Sequence, residues 1–147
     1  MNILQSERCA YVIWCDDIRH EQGDKLSFMG VYQSTLGVPS VPITIPRLAA
    51  FVTVTTPIGR PFKKLRVRVM RNDSEEPIAI ADGALDPVGH VVQSRDKYGE
   101  PHTVSWLSIA FLLPPLTVTP QTHWLKVWVD TEDAEPLESH KLRIEAP

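Results

Sequence analysis

The sequence predicts an all-β fold, a single-domain antiparallel sandwich of about eight strands, Ig-like or C2-like in outline and with little helix. Three observations predict it. Apolar and polar residues alternate in nearly every segment, while no stretch sustains the i, i+3, i+4 spacing of an amphipathic helix. Gly, Pro, Asp and Asn separate these segments at fairly even intervals, as turns do between strands. The chain of 147 residues, 43% hydrophobic and 22% charged, has the composition of one globular domain over 1–147. At that length it buries about two thirds of its unfolded surface and needs no disulfide or metal staple.

The elements follow in order. Cys9 to Cys15 reads as a first strand, apolar on both faces and therefore central and buried; Asp16-Asp17 ends it. Lys25 to Gln33 reads as a second strand, and Asp17 to Asp24, with Gly23 near its end and room for one helical turn, as the hairpin connection that pairs the two. Gly37 to Pro46 carries Pro39, Pro42 and Pro46, each of which fixes φ and removes a donor, so an extended crossover or edge is expected there. Leu48 to Thr56 is the next strand and Thr56 to Pro61 a turn. Lys64 to Arg71 alternates strictly, with Leu65, Val67 and Val69 facing the core. Arg71 to Glu76 is a charged turn. Pro77 to Ala81 and Val88 to Gln93 are short strands around the Asp82-Gly83 and Pro87-Val88-Gly89 turn signals, and Val104 to Leu113, His123 to Asp130 and Glu138 to Glu145 complete the series.

Most chemistries lack their residues. The five histidines stand far apart, and none lies at a metal-ligand spacing to another His, Cys or acid. Cys9 and Cys15 have an i, i+6 spacing that belongs to no zinc or redox motif, and on one strand they stand about 20 Å apart, too far to bridge. The expectation is two reduced thiols in a reducing compartment. No Gly-rich phosphate loop and no G-x-S-x-G elbow is present, so no catalytic residue and no cofactor is assigned. The opening Met1 to Arg8 has no basic region followed by an apolar stretch of signal length. The longest apolar run, Ile109 to Leu116, is far short of the roughly 20 residues that span a bilayer. A cytoplasmic protein without a membrane partner is expected.

Three surface patterns remain. Acids gather at predicted strand ends: Asp16, Asp17, Glu21 and Asp24 at one turn, and Asp73, Glu75, Asp130, Glu132 and Asp133 at others. Converging at one end of a sandwich they would suit calcium, although Asp also favours turns by bonding its own backbone, so no metal is assigned. Lys64, Arg66 and Arg68 alternate on one strand and project from one face about 7 Å apart, a spacing open to phosphates or to an acidic protein. With a formal net charge of -3, nucleic acid is the less favoured partner. The third pattern is the strongest. In His123 to Asp130, alternation puts Leu125, Val127 and Val129 on one face and Trp124, Lys126, Trp128 and Asp130 on the other. Two indoles flanking a lysine are the composition of an interface, with Lys64, Arg66 and Arg68 as its rim. The bland alternative is that the indoles lie under a loop with the Lys126 stem packed between them.

The string Cys15-Asp16-Asp17-Ile18-Arg19, then Glu21, Gly23 and Lys25, then Gly30-Val31-Tyr32, the proline crossover and Thr56-Pro57, resembles a family of small uncharacterised proteins from bacteria and their phages. The resemblance spans roughly the first half of the chain. It implies a strand, an acidic turn, a second strand and a Pro-rich crossover in a phage or prophage setting, and it lends no catalytic residue. The functional expectation is therefore a non-catalytic protein-interaction module, acting in an assembly or on a host factor, with a protein partner or a second copy on the tryptophan face. The rival is an enzyme or metal-dependent module built on the acidic turns.

Overall fold

The computed structural model describes residues 7–83 and 104–147. They form β1 (Cys9–Cys15), β2 (Asp17–Glu21), β3 (Lys25–Met29), β4 (Thr35–Gly37), β5 (Ile43–Ile45), β6 (Ala49–Pro57), β7 (Leu65–Arg71), β8 (Ala79–Gly83), β9 (Val104–Leu112), β10 (Leu116–Val118), β11 (Trp124–Thr131), β12 (Leu137–Glu138) and β13 (Leu142–Glu145). Among the described residues there is no helix. The expected strand Val88 to Gln93 lies outside them.

Two sheets face each other. The smaller has the order β1-β6-β9 and is antiparallel throughout; the larger has the order β4-β13-β11-β7-β8, with β12 added on β11. With β1, β6 and β9 in positions A, B and E, and β7, β8, β11 and β13 in positions C, C′, F and G, this is the strand order of an immunoglobulin-type sandwich. The register puts Val12 opposite Val52 and Val52 opposite Ile109 in one sheet, and Val67 opposite Val129 and Val69 opposite Val127 in the other. These inward rows, with Trp14, Leu125, Phe111 and Leu142, make one core between the sheets. Each fully buried Val or Leu contributes about 1.5 to 3 kcal/mol.

Several expectations change. The number of strands exceeds the expected eight because short edge pieces escape pattern reading: β4, β10 and β12 have three, three and two residues. The sandwich is not purely antiparallel, since β13 pairs with β4 in parallel, Arg143 against Thr35 and Ile144 against Leu36. The first strand ends at Cys15 as expected, but Asp17 does not open a loop. The chain breaks stride at Asp16 and continues as β2, which pairs with β3 from Asp17 opposite Met29 to Glu21 opposite Lys25. The hairpin is therefore β2–β3, turned by Gly23 and Asp24 at φ 77° and 56°. Between β1 and the Lys25 to Gln33 segment only a bridge from Trp14 to Tyr32 forms. The first strand is consequently an edge of its sheet, not a central strand.

The proline crossover is extended as expected, and its middle forms β5, which pairs with β10 in a separate two-stranded sheet. The expected Glu138 to Glu145 strand divides at Ser139. Its N–H donates to the Val127 carbonyl (3.0 Å), while its hydroxyl, in place of its own carbonyl, accepts from the Val127 N–H (3.0 Å) and donates to the His140 carbonyl (2.9 Å), and Ser139, His140 and Lys141 stand against two residues of β11 as a bulge.

Candidate functional site

β11 is held by its buried face, where Leu125, Val127 and Val129 are fully enclosed in the core. Its start is fixed by Asn72, whose side-chain carbonyl accepts from the N–H groups of His123 (2.7 Å) and Trp124 (3.1 Å) while its amide donates to the Gln121 carbonyl (2.9 Å). Trp124, Lys126, Trp128 and Asp130 then project outward, each half-buried. The assignment of the two faces of this strand thus stands.

Cross-strand register builds the rest of the face. Trp128 lies opposite Arg68, which lies opposite Ile80; Asp130 lies opposite Arg66, which lies opposite Asp82; Lys126 lies opposite Met70. The Lys126 ammonium stands 5.9 Å from the Trp124 ring centre and 5.1 Å from that of Trp128, and it pairs with Glu138 at 2.9 Å. Lys141 covers Trp124 from another side at 5.2 Å. Arg68 pairs with Asp130 at 2.9 Å and Arg66 with Asp82 at 3.8 Å. The lysine stem does pack between the indoles, as the bland alternative has it, yet both rings keep an open side. Trp124, Trp128, Met70 and Arg68 wall an open depression of about 350 Å³ that reaches Asn72, Ser74 and Glu75.

The structure thus brings Trp124, Lys126, Trp128, Arg66 and Arg68 onto one face. Lys64 stands just outside the strand. It precedes β7, and its backbone N–H donates to Glu132 (3.3 Å). Met70, Ile80 and Glu138 belong to the face and were not singled out in the sequence. The signal for Ile80 was its place in a short strand beside an alternating one, but register cannot be read from one strand alone.

Six of the acids in these turns, Asp16, Asp17, Asp73, Asp130, Glu132 and Asp133, meet the chain's own donors. Arg8 meets Glu132 at 2.5 Å and Asp133 at 3.2 Å, and Arg60 also meets Asp133. Burial alone would raise the Glu132 carboxyl, but hydrogen bonds from Arg8 and from the N–H groups of Lys63 and Lys64 outweigh it and hold the pKa at about 2. Hydrogen bonds from Arg71, assisted by Thr122 and opposed by burial, hold Asp73 at about 2 as well. Asp16 accepts from the Tyr32 hydroxyl at 2.5 Å. Asp17 accepts from the Ile18 N–H and has Arg47 at 3.7 Å. Among the described residues no three His, Cys, Asp or Glu side chains gather as a metal would require. Both cysteines are free, and Cys15 is buried. No helix among the described residues is long and apolar enough to cross a membrane.

Fold and face together define an all-β sandwich that presents a charge-paired aromatic surface. The chain belongs to the family described as "Family of unknown function (DUF6941)", whose model matches residues 10–145. That match runs through both halves of the chain, beyond the first-half pattern of turn and crossover. No curated protein and no solved structure gives a significant match.

Proposed function

We propose that this chain is a non-catalytic protein-interaction module of the cytoplasm, acting in a phage or prophage assembly or on a host factor, and that it meets a protein partner through the outer face of its larger sheet. One observation carries the reading. Trp124 and Trp128, half-buried beside Met70 and the exposed Ile80, form an apolar surface in which each strand cation already has an acid: Lys126 with Glu138, Arg68 with Asp130 and Arg66 with Asp82. Such a surface suits a protein, whose interface core favours aromatic residues, Met and Arg with few uncompensated charges. It does not suit nucleic acid, which needs cations free to displace counterions from phosphates. Of the carboxylates that an enzyme or metal-dependent module would use, Glu132, Asp133, Asp73 and Asp16 are bonded to arginines, Thr122 and Tyr32 instead. The phage setting rests on the resemblance of the Cys15 to Arg19 turn and Gly30 to Tyr32, and the cytoplasmic one on two unpaired thiols.

The test is quantitative affinity capture from host extract with the native chain and with the double variant Trp124→Ser, Trp128→Ser. A desolvated indole anchor costs about 2 kcal/mol or more on truncation, roughly thirtyfold in affinity. The native chain should retain a stoichiometric partner that the variant loses while its dichroism spectrum and melting temperature hold. Equal capture by both proteins would show that the face is not the contact surface.

A further inference from the structure

The depression beside the tryptophans is assembled from three elements. β7 supplies Met70 and Arg68, β11 supplies Trp124 and Trp128, and the turn after β7 supplies Ser74 and Glu75. Neither Lys126 nor Lys141 lines it, although both stand over the same rings, so it opens onto indole surface that those ammonium groups leave uncovered. Its charges do not balance. Arg68 is paired with Asp130, and Arg71, which also lines it, is paired with Asp73. Glu75 is exposed and, among the described residues, has no cation within ion-pair distance. The depression therefore sets an uncompensated carboxylate beside two indoles.

We propose that its occupant is an arginine side chain of the protein partner, the guanidinium stacked on Trp124 and Trp128 and paired with Glu75. The proposal rests on the reading of this face as a protein-contact surface and names what the partner presents there. Charge complementarity selects the occupant. An acidic group would meet the Glu75 carboxylate with no free cation to offset it, and an apolar group would cover that carboxylate and leave it unpaired, which costs free energy. A cation gains from the indole faces and from the carboxylate together. Arginine suits the site better than lysine, because its planar group stacks on aromatic rings and meets a carboxylate through two parallel bonds, while its stem lies along Met70. Size agrees: about 350 Å³ is near the lower end of the roughly 300 to 1,000 Å³ of small-ligand pockets, room for one long side chain rather than for a helix. The formal net charge of -3 also favours the approach of a basic segment.

The probe is the blocked tripeptide acetyl-Gly-Arg-Gly-amide, titrated into the full chain at constant ionic strength, with acetyl-Gly-Gln-Gly-amide as control. The indole N–H signals in proton–nitrogen correlation spectra, assigned with single Trp→Phe variants, give the readout. The arginine peptide should shift the Trp124 and Trp128 signals saturably, with a dissociation constant in the millimolar range. Trp14, in the core, and Trp106, on the other sheet, should stay in place. Glu75→Gln should weaken the response by up to about fivefold, the most that an exposed ion pair gives, and Glu75→Lys should weaken it further, both with an unchanged melting temperature. No shift, equal shifts from the two peptides, or an arginine response indifferent to Glu75→Lys would overturn the proposal. Capture from host extract separates its failure from that of the underlying reading. A partner lost by Trp124→Ser, Trp128→Ser but fully held by Glu75→Lys overturns the arginine and leaves the contact surface, whereas a partner held by both variants overturns the surface and the arginine with it.

Discussion

Among the described residues Arg8 is the one buried charge, and every arm of its guanidinium is used. Nε donates to the Thr56 hydroxyl (3.0 Å), Nη2 to the Arg60 and Pro61 carbonyls (both 3.2 Å) and to Glu132, and Nη1 to Asp133, while the flat group lies 4.5 Å from the Phe62 ring centre. Removing one member of a buried pair strands the others, at about 3 kcal/mol where the acids keep some solvent contact. Arg8→Ala should lower the stability read from urea unfolding by about that amount, and Arg8→Lys should recover little, because an ammonium cannot reproduce the planar fork. Nothing local in the sequence marks Arg8. Its partners lie about 50 residues away around Thr56 and Pro61, and 124 and 125 residues away at Glu132 and Asp133, and such pairings are invisible without the fold. The acids Glu132 and Asp133 were legible as a cluster, but what they bind was not.

The β2–β3 hairpin depends on a few residues of the resembled motif. The Asp16 N–H donates to the Met29 carbonyl (2.8 Å), the Tyr32 N–H donates to the Trp14 carbonyl (2.8 Å), and the Tyr32 hydroxyl donates to the Asp16 carboxylate. Burial first, and that carboxylate second, push the Tyr32 phenol up to about 12. Gly30, at φ 66°, lets the chain pass Asp16; a Cβ there would run into the Asp16 carboxylate. Gly30→Ala therefore faces both a left-handed backbone and a collision, and should cost about 2 kcal/mol. The check is differential scanning calorimetry together with amide exchange, where β2 and β3 should lose protection before the sandwich does. Pattern reading fixed the boundaries of β1 and the start of β3, yet it joined them as a hairpin. The reason is that Asp17 to Glu21 contributes just one buried side chain, Ile18, too faint an alternation to announce a strand.

At the scale of the molecule, charge is divided by sheet. The larger sheet's outer face was readable from β7 and β11 because each alternates strongly enough to declare its own buried side. Its completion by Met70, Ile80 and Glu138 needed the register between strands, which sequence periodicity does not contain. The ion pairs also set the response to acid. Glu132 and Asp73 titrate near 2 in the folded chain, below their ordinary values of 4.5 and 3.8. A depressed carboxyl contributes its full stabilisation above its unfolded pKa and loses it as pH falls through the folded one. Melting temperature should therefore be level from pH 7 to about 5 and fall steeply between about pH 4 and 2, and Glu132→Gln with Asp73→Asn should start lower and fall less.

The parallel pairing of β13 with β4 has a consequence for the order of assembly. β13 is an interior strand of the larger sheet, between β4 and β11, although it is the last element of the described chain. Its pairing partner, Thr35 to Gly37, is made early and has no other strand beside it in that sheet. Until Leu142 to Glu145 slots in, β11 presents an open hydrogen-bonding edge at Trp124 and Leu125 and Leu36 has no cover from Ile144, the condition in which strands find neighbours on other molecules. A pairing that joins residues this distant in sequence also closes slowly. The hazard during synthesis is thus concentrated in one interval, after β11 has formed and before β13 arrives.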